Sequence, residues 1–275
     1  MKFLVLGATG QTGRHVARKL VERRHSVTAV CRKQSASLEE LEGVKRIEGT
    51  ILDMSEDEVR EITRECDAVL VGLGHNLTLG GIWGKPRRLV TDTVRRIVQS
   101  YLGKKKPGKV VLMSSVGVRN KDLPEEDYPT FDRVVSGLLY HLVPPHADNV
   151  QAAEYLKTAG DAVEWVCVRP DDLADVHERT TDFEVFDALR APPISGRGKT
   201  TRLEVAHFMA SLAENESLWD QWKGKTPPST PRDRTPPPRP RPPIPPPPPP
   251  ETHALSLSLS LWAHQKYTAS VVVLH

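Results

Sequence analysis

Three glycines near the start of the chain have the spacing of a phosphate-binding turn. Gly7, Gly10 and Gly13 follow the apolar run 3–6 and precede residues 14–25, where apolar side chains recur at helical spacing. A turn between a strand and a helix can bring backbone N–H groups and the positive end of the helix dipole to a pyrophosphate. Three glycines in seven residues can also form only a turn, but the order of strand, glycines and helix favours a dinucleotide site.

Two basic residues follow the second predicted strand, Ser26–Cys31. At this end of the strand, an acidic side chain would bind the 2′-hydroxyl of the adenosine ribose, whereas a basic one accommodates a 2′-phosphate. Arg32 and Lys33 stand there, and the first acid after them is Glu39. The pair therefore favours NADP(H) over NAD(H), although two basic residues after a strand can also be no more than a solvated turn.

Side chains that could handle a proton or a substrate follow later strands. Ser114 and Ser115 come directly after the predicted strand 109–113, where a hydroxyl would face the nicotinamide end of a cofactor. Serine is also a common turn residue. His75 follows the predicted strand 67–73 and could contact a ligand in the same crevice or be solvated.

Two further titratable residues, His146 and Asp171, are candidates for proton transfer. Together with Ser115 they are the three predicted catalytic residues. Asp148 and Asn149 lie near the start of a predicted helix and can be explained as its caps. The pair Tyr101 and Lys105 has the spacing of the tyrosine and lysine used by short-chain dehydrogenases. It precedes the serines instead of following them, so we interpret it as chance.

The elements that would position these residues alternate between strand and helix. Short apolar strands are predicted at 1–6, 26–31, 44–48, 67–73, 109–113, 164–168 and 182–187. Helical spacing or a capping box predicts helices at 14–25, 55–65, 89–102, 131–143, 147–157 and 203–214. Alternation of this kind is typical of an α/β fold with a Rossmann-type, doubly wound parallel sheet. We expect one such domain over residues 1–225.

Composition separates this region from the remainder of the chain. Fifteen of the 24 prolines lie between Pro227 and Pro250. Proline lacks an N–H and has a fixed φ, so residues 226–275 are predicted to be a disordered tail with an extended proline-rich segment that makes neither helix nor sheet. Such a segment can bind a protein that recognises polyproline, through residues 227–250, or it can be an inert linker or the product of an altered reading frame.

Charge and cysteine content exclude several classes of function. The net charge of +3 resides entirely in the tail, because residues 1–225 carry 33 basic and 33 acidic side chains. Nucleic-acid binding by the domain is therefore not expected. Cys31, Cys66 and Cys167 are too far apart for a metal or redox motif, and no metal site is predicted. The absence of an apolar run of about 18 residues argues against a membrane span. Cysteines that are expected to stay reduced suggest a cytoplasmic protein.

These motifs together resemble the atypical short-chain dehydrogenases, and in particular the NmrA-like and NAD(P)H-binding group that includes flavin reductase. The resemblance covers about residues 1–225. Its motifs are Gly7-Ala8-Thr9-Gly10-Gln11-Thr12-Gly13, Arg32, Leu73-Gly74-His75, Ser114-Ser115, Pro145-His146-Ala147-Asp148-Asn149, Val168-Arg169-Pro170-Asp171-Asp172-Leu173, Val205-Ala206-His207-Phe208-Met209 and Leu218-Trp219-x-x-Trp222-Lys223-Gly224.

The resemblance implies a role for each part of the pattern. The glycines with Thr9, Gln11 and Thr12 would hold the pyrophosphate, and Arg32 the 2′-phosphate. Leu73, Gly74 and His75 would contact the ribose. Ser115, with Arg169 and Pro170, would line the nicotinamide.

Two functions remain open at this level. One is an NADPH-dependent oxidoreductase that passes hydride to a small acceptor such as a quinone or a flavin, because the cofactor itself supplies the difficult chemistry. The other is a non-catalytic, NmrA-like sensor of NADP(H), which the missing Tyr-Lys pair favours. The sequence indicates no oligomeric state.

Overall fold

The apolar run before the first glycine forms the central strand of a parallel sheet. The computed structural model describes residues 1–32, 43–75, 78, 83–118, 129–175, 183–189, 192, 194–196 and 198–231. Its strands are β1 (Lys2–Leu6), β2 (Ser26–Cys31), β3 (Val44–Glu48), β4 (Ala68–Val71), β5 (Gly108–Met113), β6 (Val163–Pro170), β7 (Asp172–Ala174), β8 (Phe183–Val185), β9 (Lys199–Thr201) and β10 (Pro228–Pro231).

Helices connect most of these strands. They are α1 (Gly13–Glu22), α2 (Glu56–Arg64), α3 (Leu89–Tyr101), α4 (Thr130–Leu142), α5 (Pro144–Lys157), α6 (Arg202–Glu214) and α7 (Glu216–Trp222), and a 3-10 turn covers Gly160–Ala162. Ser55 and Glu58 form the predicted capping box at the start of α2. The order of strands and helices predicted from the sequence is thus confirmed through α5.

The main sheet has the strand order β3-β2-β1-β4-β5-β6-β10-β8, and β7 pairs separately with β9. Every neighbouring pair from β3 to β10 is parallel, and only β8 runs antiparallel to its neighbour. This is a doubly wound sheet, and the strand order reverses between β1 and β4. Ligands of such sheets bind outside the carboxyl ends of the strands at that reversal.

Helices cover both faces of the sheet, as the side chains of β1 illustrate. Phe3 and Val5 join one apolar cluster with α1, α6 and α7. Leu4 and Leu6 point to the opposite face and join a second cluster with α2, α3 and α5. All four side chains are at most 1% exposed. Continuous apolar runs are expected of strands that are buried on both faces.

The prediction that the chain from Thr226 onward makes neither helix nor sheet is wrong for its first residues. Pro228–Pro231 form β10, which lies between β6 and β8. The sheet therefore includes residues beyond the boundary at residue 225 that the sequence suggested. Residues 232–275, which include the remainder of the proline-rich segment, lie outside the described residues.

Prolines are tolerated in and just before β10 because their carbonyl oxygens can still accept hydrogen bonds. The carbonyl oxygens of Lys225, Pro227 and Ser229 accept hydrogen bonds from N–H groups of β6 and of the residue after it, at 3.1, 2.9 and 3.4 Å. The carbonyl of Pro228 accepts from the N–H of Phe186 on the other side. Proline lacks the N–H but keeps the carbonyl, so it can occupy a strand position where only an acceptor is needed.

A second correction concerns the start of α5. The sequence predicts a helix over 147–157 that is separated from the preceding one by two prolines. The structure begins the helix at Pro144 itself. Proline fits the first turn of a helix, because the N–H groups there have no acceptor within the helix.

Candidate functional site

The glycine-rich turn after β1 depends on two very close backbone contacts. Gly7 adopts φ +84°, and a Cβ on Gly7 would lie 2.7 Å from the carbonyl oxygen of Gly72. A Cβ on Gly13 would lie 2.1 Å from the carbonyl oxygen of Gly7. The predicted roles of these two glycines, in the tight turn and in packing the helix onto the strand, are consistent with this geometry. The turn is closed by a hydrogen bond from Gly10 N to Gly7 O at 2.8 Å.

The N-terminus of α1 carries no side chain that would compete with an anion. Thr12 occupies the capping position without a side-chain hydrogen bond, and the first turn contains no acidic residue. By contrast, α2 and α6 both begin with complete capping boxes. Thr9 and Gln11 are exposed beside the turn, and Thr12 is buried. A helix end without a capping side chain presents a partial positive charge to a phosphate.

Arg32 lies at the carboxyl end of β2, the strand next to β1, and is exposed. It is therefore at the same edge of the sheet as the glycine turn. Lys33, the second basic residue of the prediction, lies outside the described residues. Cys31 immediately before Arg32 is buried, and burial raises the pKa of its thiol.

The segment after β4 lies beside the glycine turn. Gly72 approaches Gly7 as described, and a Cβ added to Gly74 would meet no atom within 4 Å. The space in front of Gly74 is therefore open, as a bound dinucleotide requires. Leu73 packs against the cluster that contains α3 and α5.

His75 and Asp148 form a buried pair beside this segment. Nε2 of His75 lies 2.8 Å from Oδ2 of Asp148, and the two side chains are 6% and 0% exposed. The same carboxylate accepts the backbone N–H groups of Val90 at 2.8 Å and Thr91 at 2.9 Å. Asp148 thus caps α3 rather than its own helix, which corrects the sequence interpretation. Burial alone would raise the pKa of this carboxyl, but the hydrogen bonds outweigh burial and lower it.

Ser115 and His146 meet at Gly117. The position of a Cβ on Gly117 lies 3.1 Å from Cε1 and 3.5 Å from Nδ1 of His146, and 3.4 Å from Oγ of Ser115. The structure therefore brings two of the three predicted catalytic residues together at the end of β5. Ser114 is buried, and its backbone N–H donates to the carbonyl of Val168 at 2.8 Å.

Burial lowers the pKa of His146. The folded protein consequently binds a proton there less readily than the unfolded chain does. The free energy of unfolding should therefore fall as pH drops below about 6.5, the ordinary pKa of histidine, and recover above it. A difference of one pKa unit between the two states corresponds to about 1.4 kcal/mol.

Urea unfolding between pH 5.5 and 7.5 tests this expectation. His146→Gln should reduce the slope of stability against pH, whereas His141→Gln, at an exposed position on α4, should leave the slope unchanged. Burial also lowers the pKa values of His15 and His207, so the variant should retain part of the slope. If stability depends on pH with the same slope in the wild type and in His146→Gln, His146 does not contribute to that dependence.

The side chain of Arg169 has a structural task that the sequence did not indicate. It is fully buried, and it donates from Nε to the carbonyl of Thr226 at 2.7 Å and from a terminal nitrogen to the carbonyl of Val118 at 2.8 Å. It therefore ties the segment just before β10 to the loop that carries Ser115. The carbonyl of Pro170 accepts from Val116 N at 3.1 Å and holds the same loop.

Asp171, the third predicted catalytic residue, is 8% exposed and lies directly after β6. Its N–H donates to the carbonyl of Ser229.

The structure agrees with the interpretation that the spacing of Tyr101 and Lys105 arises by chance. Tyr101 is 5% exposed, and its hydroxyl donates to the carbonyl of Thr63 in the core between α2 and α3.

Several site residues could not be inferred from the sequence, notably Gly117 and the capping role of Asp148. Their contacts join segments that are distant in the chain, and no local pattern marks them. A helix N-terminus without a capping side chain, such as that of α3, is a weak signal that its cap comes from elsewhere in the chain.

Within the described residues, no group of three histidine, cysteine or acidic side chains could hold a metal. None of the described helices has the length and apolar character to cross a membrane.

The fold and the glycine turn define a dinucleotide-binding protein of the doubly wound class. A family model described as NAD(P)H-binding matches residues 7–216. The chain belongs to this NAD(P)H-binding family. A search of curated protein sequences finds no significant match.

Three solved structures illustrate the shared fold. A protein of Streptococcus pneumoniae TIGR4 named as a candidate NADH-flavin reductase is 17% identical, with a TM-score of 0.61, over 84% of this chain and 100% of that chain. A wide-type short-chain dehydrogenase/reductase of Veillonella parvula, in complex with NADP, is 14% identical, with a TM-score of 0.61, over 84% and 95%. The anaerobilin reductase ChuY of Escherichia coli O157:H7 is 17% identical, with a TM-score of 0.60, over 86% and 100%.

Proposed function

We propose that this protein is an NADPH-dependent oxidoreductase that reduces a small acceptor such as a quinone or a flavin. The observation that carries the proposal is the turn from Gly7 to Gly13, where close backbone packing is combined with a helix N-terminus that has no side-chain cap. The bound nicotinamide would supply a hydride. The acceptor gains that hydride and one proton, so the chain has to bind both molecules and provide a route for the proton.

The residues around Gly117 suit the part of such a site where the nicotinamide would meet the acceptor. Ser115 and His146 both lie within 3.5 Å of one point above this glycine. The lowered pKa of His146 favours a neutral imidazole at pH 7, which can exchange a proton with a hydroxyl or with water. We assign Ser115 and His146 to acceptor binding and proton transfer, with Asp171 as a further candidate. Two of the structural relatives are named for flavin or bilin reduction, which supports a flat conjugated acceptor.

Preference for NADPH is assigned to Arg32, with Lys33 beside it in the sequence. Arg32→Ala should weaken NADPH binding by roughly tenfold to a hundredfold, the range expected for loss of a charged hydrogen bond to phosphate. NADH binding should change little. Arg60→Ala removes the same charge from an exposed position on α2 and serves as the control. Equal losses for NADPH and NADH in Arg32→Ala would contradict the assignment of the 2′-phosphate to this residue.

Turnover distinguishes this function from its main alternative. Purified protein should oxidise NADPH in the presence of quinones or flavins, as measured by the loss of absorbance of the reduced nicotinamide. Ser115→Ala and His146→Gln should lower the rate while retaining cofactor binding. Tight NADPH binding without turnover across a panel of acceptors would overturn the enzymatic proposal.

The alternative is a non-catalytic sensor of NADP(H), and the surroundings of Tyr155 favour it. This tyrosine lies on the helix that follows the serines, but the guanidinium of Arg95 is placed 5.1 Å from the centre of its ring. Lys157 forms an ion pair with Glu154 at 3.5 Å. Neither side chain therefore has the arrangement of the tyrosine and lysine that assist ketone reduction.

We also propose a cytoplasmic location, which suits the three free cysteines. A partner that recognises polyproline remains a proposal for the segment after Pro231 only, because residues 227–231 are engaged in the sheet. Binding of such a partner by the full chain and its loss on deletion of residues 232–275 would test this proposal.

A further inference from the structure

One buried carboxylate connects three separate elements of the fold. Asp148 on α5 accepts hydrogen bonds from the first turn of α3 and from His75 after β4. The hydroxyl of Thr91 donates to the backbone carbonyl of Asp148 at 3.0 Å and strengthens the same junction. Three elements that are remote in sequence are thereby fixed at the point where the strand order reverses.

The capping of α3 by Asp148 does not by itself explain why His75 also contacts this carboxylate. The two N–H groups of α3 already engage both oxygens of Asp148, at 2.8 and 2.9 Å. His75 adds a further donor to Oδ2, in a place where its side chain is 6% exposed. A buried carboxylate could cap the helix equally well beside an apolar side chain, so the arrangement indicates that the imidazole is the group being held.

The pair determines which ring nitrogen of His75 carries the proton. Asp148 is held ionised by its hydrogen bonds, which lower its pKa, and an ionised carboxylate can only accept. Nε2 of His75 must therefore be the donor. In the neutral imidazole the other nitrogen, Nδ1, is then an acceptor. Within the described part of the chain, the hydrogen bond to Asp148 is the only one that His75 makes.

We propose that Asp148 is a positioning residue that orients His75, so that Nδ1 accepts a hydrogen bond from a hydroxyl of the cofactor ribose. The inference rests on the proposed function, because it assumes a dinucleotide in the crevice. Its geometric support is that His75 follows Gly72, which touches the glycine turn, and Gly74, which faces open space. A ribose between the pyrophosphate turn and this segment would present hydroxyl donors to an acceptor placed there.

Three variants separate positioning of the ligand from support of the fold. His75→Leu removes the acceptor and the contact with Asp148 but leaves α3 capped. His75→Gln retains both functions, because its amide can donate to Asp148 while its oxygen accepts. Thr91→Val is the matched control, since it removes the hydroxyl bond to Asp148 without changing His75.

The readouts are the dissociation constant for NADPH, measured by calorimetry, and the unfolding temperature. His75→Leu should raise the dissociation constant by about threefold to tenfold, in keeping with loss of one neutral hydrogen bond. His75→Gln should lie within about twofold of the wild type. Thr91→Val should lower the unfolding temperature but bind NADPH as the wild type does.

Two outcomes would overturn the inference without touching the proposed function. One is unchanged NADPH binding in His75→Leu. The other is equal weakening in all three variants in proportion to their lost stability, which would mean that the cluster only supports the fold. Failure of the wild type itself to bind NADPH would instead overturn the proposed function, and this inference with it.

Discussion

Replacing Gly13 with alanine is expected to abolish NADPH binding and to lower the free energy of unfolding by more than about 3 kcal/mol. A Cβ at this position would lie 2.1 Å from the carbonyl oxygen of Gly7 and 2.7 Å from its carbonyl carbon. Both atoms belong to the main chain, so no flexible side chain can move aside. Accommodation requires α1 to shift away from β1, and this shift would displace the N–H groups that are assigned to the pyrophosphate.

The control is another glycine in a helix, Gly137→Ala on α4. A Cβ there would meet no atom within 4 Å. Alanine favours a helix over glycine, so this variant should be neutral or more stable by up to about 1 kcal/mol. Both variants can be compared by thermal unfolding and by NADPH titration. Wild-type binding and stability in Gly13→Ala would show that the turn is less constrained than these distances imply.

A comparison of two truncated chains should give the second large effect. The chain 1–231 is expected to unfold within about 1 kcal/mol of the full-length protein, whereas 1–225 should lose more than about 5 kcal/mol or fail to fold. Deletion of 226–231 removes the acceptors of five donors, each of which costs about 1–3 kcal/mol if it stays buried and unpaired. The donors are Arg169 N, Arg169 Nε, Asp171 N, Phe186 N and Thr200 Oγ1.

The contribution of Arg169 makes this truncation more severe than the loss of an edge strand. Its side chain is fully buried, and deletion of Thr226 removes the carbonyl oxygen that accepts a hydrogen bond from its Nε. A buried charge that loses its hydrogen bonds is strongly destabilising. Chemical denaturation of both chains measures the difference. If 1–225 and 1–231 unfold at the same denaturant concentration, β10 has no structural role.

The parts of the fold that could be predicted are those encoded by local pattern. β2 has the predicted bounds, Ser26–Cys31, because its apolar residues and its neighbouring turns all lie within about ten residues. The glycine turn was recognisable for the same reason. The spacing of its glycines is set by contacts within the turn itself and with the strand and the helix on either side of it.

The errors arose where long-range contacts outweigh local preference. The proline content of residues 227–231 argues against a strand, yet β6 and β8 need acceptors there, and prolyl carbonyls supply them. Asp148 was interpreted as a cap of its own helix, because the N-terminus of α3 is 57 residues away in sequence. The hydrogen bonds of the Arg169 side chain to two backbone carbonyls also join segments that are distant in the sequence, so no local pattern predicted them.

Calorimetric titration of the wild-type protein with NADPH and, separately, with NADH tests the proposed cofactor site most directly. We expect one NADPH per chain, bound at least tenfold more tightly than NADH because of the basic residue after β2. A blue shift of the nicotinamide fluorescence should accompany binding. Absence of heat with either dinucleotide at millimolar concentration would contradict the proposed cofactor site, and with it both the oxidoreductase and the sensor.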